Sequence, residues 1–223
     1  MLHFLADWGR LAGAAWRLAR RDALIPREYA PLLPPYARAL GALLRIGAKT
    51  RSADGRLLRP GERLAAALET MSPPYVKLGQ MLATRPDIVG FKTAADLSRL
   101  QDRMPPFPET VAVAEVERVF GRPIGEIFAT FSAPIAAASI AQVHRATLKD
   151  GRAVAVKILR PDIERIAARE FRAFGRAARL AQGLSRTTRR MEPVKFVETL
   201  KAASAIELDL RLEAGAASAL AED

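Results

Sequence analysis

The chain has 223 residues, half of them hydrophobic, and carries a net charge of +11 with a pI of ≈ 10.8. It has no Cys, which excludes disulfides, thiolate nucleophiles and cysteine metal sites, and its only two His, His3 and His144, are too few for a His-based zinc site. The length suffices for one substantial domain or two small ones, and the basic balance favours anionic partners: nucleic acid, acidic lipid or nucleotide phosphate.

Residues 2–21 read as an amphipathic helix, with Phe4, Trp8, Leu11, Ala15 and Leu18 at helical spacing and Arg10, Arg17, Arg20 and Arg21 mostly elsewhere. Two readings stand: an interfacial helix at lipid headgroups, or a helix docking its stripe on the rest of the domain. There is no basic start and Asp7 interrupts the apolar residues, so no signal peptide is expected, and no apolar run is long enough to span a membrane.

Pro26, Pro31, Pro34 and Pro35 make a loop. Helices are expected over Tyr36–Thr50 and Gly61–Thr70, with a turn at Asp54-Gly55 between them. Another should run from an N-cap at Ser72 to a stop at Pro86, with Pro73 suited to its first turn. On it Lys77, Gln80, Met81 and Thr84 share a face. Gly79 in mid-helix costs about 1 kcal/mol against Ala and suits a place where a backbone or ligand comes close. By chemistry alone Lys77 could equally be one exposed Lys on an amphipathic helix.

Pro105, Pro106 and Pro108 cannot continue a helix and mark a boundary, giving units of 1–104 and 105–223. A helix over Glu109–Phe120 and a turn at Gly121–Pro123 lead into a sheet beginning at Ile127–Ala133. Pro134–Lys157 then reads as strand, small-residue loop (Ala136-Ala137-Ala138-Ser139), strand, tight turn, strand. Asp150-Gly151 is expected as a two-residue type I′ turn. Beyond it Ala153, Ala155 and Lys157 fall on one face, Val154, Val156 and Ile158 on the other. A strand Lys beside small residues leaves room for a flat ring with an ammonium next to it, as in the third strand of protein kinases.

After Arg160-Pro161 a helix runs to about Leu184, with one stripe of Arg165, Arg169, Arg172, Arg176 and Arg179 and another of Ile163, Ile166, Phe174 and Ala178. The Arg stripe is either a solvated face or a contact for anionic headgroups. Arg186, Arg189 and Arg190 mark a loop, and Pro193 opens a last long helix carrying Glu207, Asp209 and Glu213. Asp209 and Glu213, four apart, would face the same way. Spacing alone leaves open whether these carboxylates are solvated or partnered.

Ala136-Ala-Ala-Ser-Ile-Ala-Gln-Val-His144 with Val154-Ala-Val-Lys157 resembles the UbiB family of atypical kinase-like proteins, linked to ubiquinone biosynthesis. Lys77-Leu78-Gly79-Gln80 resembles the family's Lys-x-Gly-Gln signature, and Glu207-Leu-Asp209 with Glu213-Ala214 its Glu-x-Asp…Glu-Ala pattern. The resemblance implies an α+β fold: a helical N-terminal extension packed on a kinase-like N-lobe. It implies ATP or ADP with Mg bound at Ala136, Ala137, Ala138, Ser139, Ala155 and Lys157, with Glu213 pairing Lys157. Lys77, Gly79 and Gln80 would then form a latch with Glu207 and Asp209 over the nucleotide site. It also implies peripheral association with the cytoplasmic side of a bacterial inner membrane, with anionic lipids and ubiquinone-biosynthesis proteins as partners. The family's Asn shortly after Glu-Ala is replaced here by Gly215-Ala216-Ala217.

His-Arg-Asp and Asp-Phe-Gly contexts do not occur in the chain. It is therefore expected to be an N-terminal portion lacking the catalytic C-lobe and its metal-binding Asp, and inactive alone. The competing reading, a non-enzymatic basic module on nucleic acid or an anionic membrane surface, rests on charge. The nucleic-acid form has no binding motif behind it, and aromatics are only 6%, too few for a base-stacking platform.

Overall fold

A computed structural model describes residues 2–24, 26–28, 35–44, 46–100, 105–184 and 186–222. In chain order the elements are α1 (Leu2–Ala19), α2 (Pro35–Leu44), α3 (Pro60–Leu68), α4 (Pro73–Ala83), α5 (Pro86–Val89), α6 (Phe91–Leu97), α7 (Glu109–Phe120), α8 (Ile124–Ile127), β1 (Phe128–Ala137), β2 (Ala141–Leu148), β3 (Ala153–Leu159), α9 (Ile163–Leu184), α10 (Arg186–Arg190), α11 (Pro193–Leu208) and α12 (Leu210–Glu222). The fold is α+β, helices with one small antiparallel sheet ordered β1-β2-β3. Two compact units are present: Met1–Gln101 with Ile166–Lys201, and Asp102–Arg165 with Ala202–Asp223. The boundary expected at 104/105 abuts residues 101–104, which lie outside the described residues.

In the first unit α3, α4 and α6 bury Leu68, Val76, Leu97 and Leu100, and Tyr75 packs edge-on against Phe174 of α9 at 4.7 Å. The fully buried Arg63 guanidinium is satisfied by Glu28 at 2.6 and 3.0 Å, by the Leu58 carbonyl at 2.9 Å and by the Asp22 carbonyl at 3.2 Å. Burying an unpaired charge is expensive, so this hub ties the chain after α1 to α3. Asp7 of α1 is buried against Arg176 of α9 at 2.9 Å, so one member of the Arg stripe is an internal ion-pair partner.

Several local expectations are corrected. Helix α2 ends at Leu44, well short of Thr50, and Gly47 follows with φ +74°. Ser72 stands at the N-cap position of α4 but does not cap it. Pro73 and Pro74 remove the first two N–H groups, and the hydroxyl goes to Glu170 at 3.3 Å instead. Pro86 does stop one helix, and it also opens the next, α5. Arg186–Arg190, expected as loop, is the short helix α10.

In the second unit Val154, Val156 and Ile158 of β3 face a core of Ala112, Val116, Ile127, Phe128 and Ala146. Helix α7 ends on Gly121, whose φ of +69° is the left-handed conformation glycine adopts at little cost. The β2–β3 turn is a three-residue loop, with the Leu148 N–H on the Arg152 carbonyl at 2.8 Å and the Gly151 N–H on the Leu148 carbonyl at 3.0 Å. Only Gly151, at +89°, has positive φ. A type I′ turn needs positive φ at Asp150 as well, so the expected two-residue turn gives way to a turn closed by one left-handed glycine.

Candidate nucleotide site

Strand β3 places Ala153, Ala155 and Lys157 on the sheet face opposite the core. Antiparallel pairing adds neighbours that share this face: Val143 lies across from Lys157, Arg145 from Ala155 and Ala136 from Val143. Ala136, Val143 and Ala155 therefore share one face of the sheet with the Lys157 ammonium and the exposed Arg145 guanidinium. Val143 was not singled out in the sequence. Only strand register reveals it.

The Lys157 Nζ meets Glu213 Oε2 at 2.5 Å. The carboxylate is positioned by a helix break. The continuous helix expected from Pro193 through Glu213 is interrupted at Asp209, whose Oδ1 accepts from the Arg211 N–H at 3.2 Å and so caps α12. The Arg211 guanidinium holds both Asp209 oxygens at 2.8 Å. Asp209 is thus an N-cap, not a member of the Glu213 face. Glu213 sits in the first turn of α12, where the helix dipole favours a negative charge. The pair is open, with side-chain exposures of 34% and 59%. Water screens such pairs, so it contributes little to stability.

The small-residue loop is shorter than expected. Ala136 and Ala137 are the last residues of β1, paired with Val143 and Gln142, and the turn itself is Ala138–Ile140. The Ala138 N–H donates to the Ala141 carbonyl at 2.8 Å, closing it without glycine. Arg160 braces the turn from behind. Its Nε and Nη2 donate to the Ala138 carbonyl at 3.1 and 2.9 Å, and Nη2 also reaches the Pro105 carbonyl at 2.9 Å. The guanidinium carbon lies 5.7 Å from the centroid of the Phe107 ring. Ser139 is fully buried, so at this turn backbone and methyl groups are what the surface offers.

Beneath the sheet lies a polar network that sequence reasoning missed. Gln142 and His144, both fully buried, meet at 2.9 Å. The Gln142 carbonyl oxygen accepts from the Phe107 N–H at 2.9 Å, and its amide donates to the Phe107 carbonyl at 3.3 Å. His144 Nδ1 faces the Ser132 carbonyl at 2.8 Å, an acceptor, so Nδ1 carries the proton and Nε2 accepts from Gln142. The imidazole stacks on Phe131 at 4.5 Å. The available signal was two polar residues on the core-facing side of a strand. Such residues need partners, and here they anchor the Pro-rich segment before α7.

Lys77, Gly79 and Gln80 lie on α4 in the first unit, and Glu207 lies on α11 in the second. Gly79 is buried, and a Cβ there would strike the methyls of Leu68 and Leu100. Close approach is thus its reason, although the close groups are leucine side chains. Among the described residues no cluster of three or more His, Asp or Glu could hold a metal ion. Nor, among them, is any helix long and apolar enough to cross a membrane.

A bulged three-stranded antiparallel sheet with a strand lysine held by a helix carboxylate defines a kinase-like amino-terminal lobe. Residues 99–223 match the ABC1 atypical kinase-like domain. The chain belongs to that family. It is 40% identical over 193 residues to the "Probable protein kinase UbiB" of Pseudomonas paraeruginosa, covering 85% of this chain and 36% of the relative. It is 43% identical over 164 residues to the protein of the same name from Marinobacter nauticus, covering 73% and 30% respectively. The chain thus spans about a third of the length of the curated relatives it matches.

Proposed function

We propose that the second unit binds the phosphates and base of an adenine nucleotide, ATP or ADP with Mg, as part of a UbiB-type atypical kinase or ATPase supporting ubiquinone biosynthesis. The observation that carries this reading is the Lys157–Glu213 pair at 2.5 Å beside the small-residue face of Ala136, Val143 and Ala155. A flat ring needs an apolar bed that large side chains would block, and the α/β-phosphates need a cation that a carboxylate holds in place. Lys157 supplies that cation. Glu213 keeps its long flexible stem extended toward the phosphates, which lowers the entropy lost on binding. The Ala138–Ile140 turn, closed without glycine, covers the phosphates with backbone and methyl groups in place of the Gly-rich loop of protein kinases. Among the described residues no group of three or more His, Asp or Glu could hold a metal ion, and no step of phosphoryl transfer is assigned to them.

The latch role implied for Lys77, Gly79, Gln80, Glu207 and Asp209 belongs to the same proposal. So do peripheral placement at the cytoplasmic face of a bacterial inner membrane, and contact there with anionic lipids and ubiquinone-biosynthesis proteins. The basic charge is what supports contact with anionic lipid.

The deciding experiment is thermal denaturation of the chain with and without Mg-ADP and Mg-ATP. Nucleotide should raise the melting temperature, and Lys157→Ala should remove the shift. An equal shift in the variant, or none in the parent chain, overturns the site.

A further inference from the structure

The sheet face that carries Lys157 also carries Arg145, which is exposed while its strand neighbours His144 and Ala146 are buried on the other side. Arg145 stands opposite a β-bulge. Phe131 pairs with Ala146 and Pro134 with His144, so Ser132 and Ala133 together face Arg145 alone. The Arg145 N–H donates to the Ser132 hydroxyl at 3.0 Å, and that hydroxyl donates onward to the Ala133 carbonyl at 2.7 Å. The Ser132 carbonyl accepts from His144 Nδ1 at 2.8 Å. Bulges of this kind re-aim side chains and recur beside active sites. Here the backbone around Arg145 is fixed by side-chain bonds, while its guanidinium is uncommitted. Among the described residues no carboxylate pairs with it, whereas Glu115 and Asp150 hold Arg118 and Arg152, and the Ala138 and Pro105 carbonyls hold Arg160.

Strand register relates Arg145 to a bound nucleotide, and this step rests on the nucleotide reading above. The Ala138–Ile140 turn and Lys157 mark the phosphate end. Val143 lies opposite Lys157. Away from the turn along β2, the next position on this face is Arg145, opposite Ala155 and about 7 Å further on. A nucleotide with its phosphates on Lys157 therefore lays its base over the row of Ala155 and Arg145. A ring flat on the sheet meets Ala155 with its face and the longer Arg145 with its edge.

Purines differ at that edge. A 6-keto purine presents O6 and N7, two adjacent acceptors that match the two parallel N–H donors of a guanidinium fork. Adenine presents N7 beside its 6-amino group, itself a donor, so the fork makes one bond and sets its other arm against an N–H. We propose that Arg145 reads the base edge and extends the site to 6-keto purine nucleotides, those of guanine and hypoxanthine.

Isothermal titration of the chain with Mg-ADP, Mg-GDP and Mg-IDP, repeated in Arg145→Leu and Arg145→Lys, tests the assignment. In the parent chain GDP should bind at least as tightly as ADP. IDP, which lacks the 2-amino group, should match GDP, because O6 and N7 are what is read. Arg145→Leu should weaken GDP and IDP about tenfold or more and ADP far less, as expected for a lost bidentate base contact. Arg145→Lys keeps the charge without the fork and should recover only part of the GDP affinity. The side chain is exposed, so both variants should fold like the parent chain. Equal weakening of all three nucleotides with full recovery in Arg145→Lys would make Arg145 a general attractor of phosphate and overturn the assignment. GDP binding more weakly than ADP in the parent chain, or an unchanged GDP-to-ADP ratio in Arg145→Leu, overturns it too. Each of these outcomes leaves ADP binding, and with it the nucleotide site, in place; failure of ADP itself to bind overturns both.

Discussion

The Lys157 ammonium and the Glu213 carboxylate, 56 residues apart in the chain, meet at 2.5 Å on the open face of the sheet. One comes from a strand interior and the other from the first turn of a helix that Asp209 caps. An ion pair this exposed is a weak stabiliser, so its geometry is the better clue to its role.

That weakness gives the first prediction. Lys157→Ala and Glu213→Ala should each change folding stability by less than about 1 kcal/mol in urea titrations. Nucleotide affinity, read by calorimetry, should fall about tenfold or more in Lys157→Ala and by a smaller factor in Glu213→Ala. A large stability loss with unaltered affinity would make the pair structural.

Arg160 should matter through the turn it braces. Arg160→Met removes three donated hydrogen bonds to carbonyls at Ala138 and Pro105 and should cost about 1–3 kcal/mol. Arg160→Lys keeps the charge but loses the fork and should recover only part of this. Amide exchange at Ala138, and at Phe107 behind it, should accelerate in both variants. Unchanged exchange would show that the turn holds itself.

Gly79→Ala tests the reason for a helical glycine. Propensity alone predicts a gain of about 1 kcal/mol. The collision with the buried Leu68 and Leu100 predicts a loss of about 1–3 kcal/mol, so the net change should be destabilising. A more stable variant in chemical denaturation would mean that the leucines swing aside freely.

Glu62 sets an acid-sensitive contribution. The paired Arg56 guanidinium, then the Arg59 N–H, hold its carboxyl at about 2 against an ordinary 4.5. Because the folded value is the lower one, this stability is fully present above about pH 4.5 and is lost as pH falls toward 2. Urea midpoints measured from pH 6 to 2 should fall less steeply in Glu62→Gln than in the parent chain. Parallel curves would overturn the assignment.

Much of this molecule was legible in its amino-acid order, because local rules govern those parts. Proline and glycine punctuation marked many of the element ends, period-2 alternation put Lys157 and Ala155 on one face, and motif order pointed to the kinase-like class, while the Lys157-to-Glu213 pairing came only with the family resemblance. What could not be read depended on partners distant in the chain. Ser72 gave its hydroxyl to Glu170, Asp209 broke a helix that periodicity had run through, and two alanines assigned to a loop were drawn into β1 by Val143 and Gln142. Val143 joined the candidate site through register, and Gln142 and His144 became a buried anchor through Phe107 and Ser132. Periodicity reports which way a side chain points along its own element. Which group it then meets is decided by hydrogen bonding and packing between elements, and those energies exist only once the chain has folded.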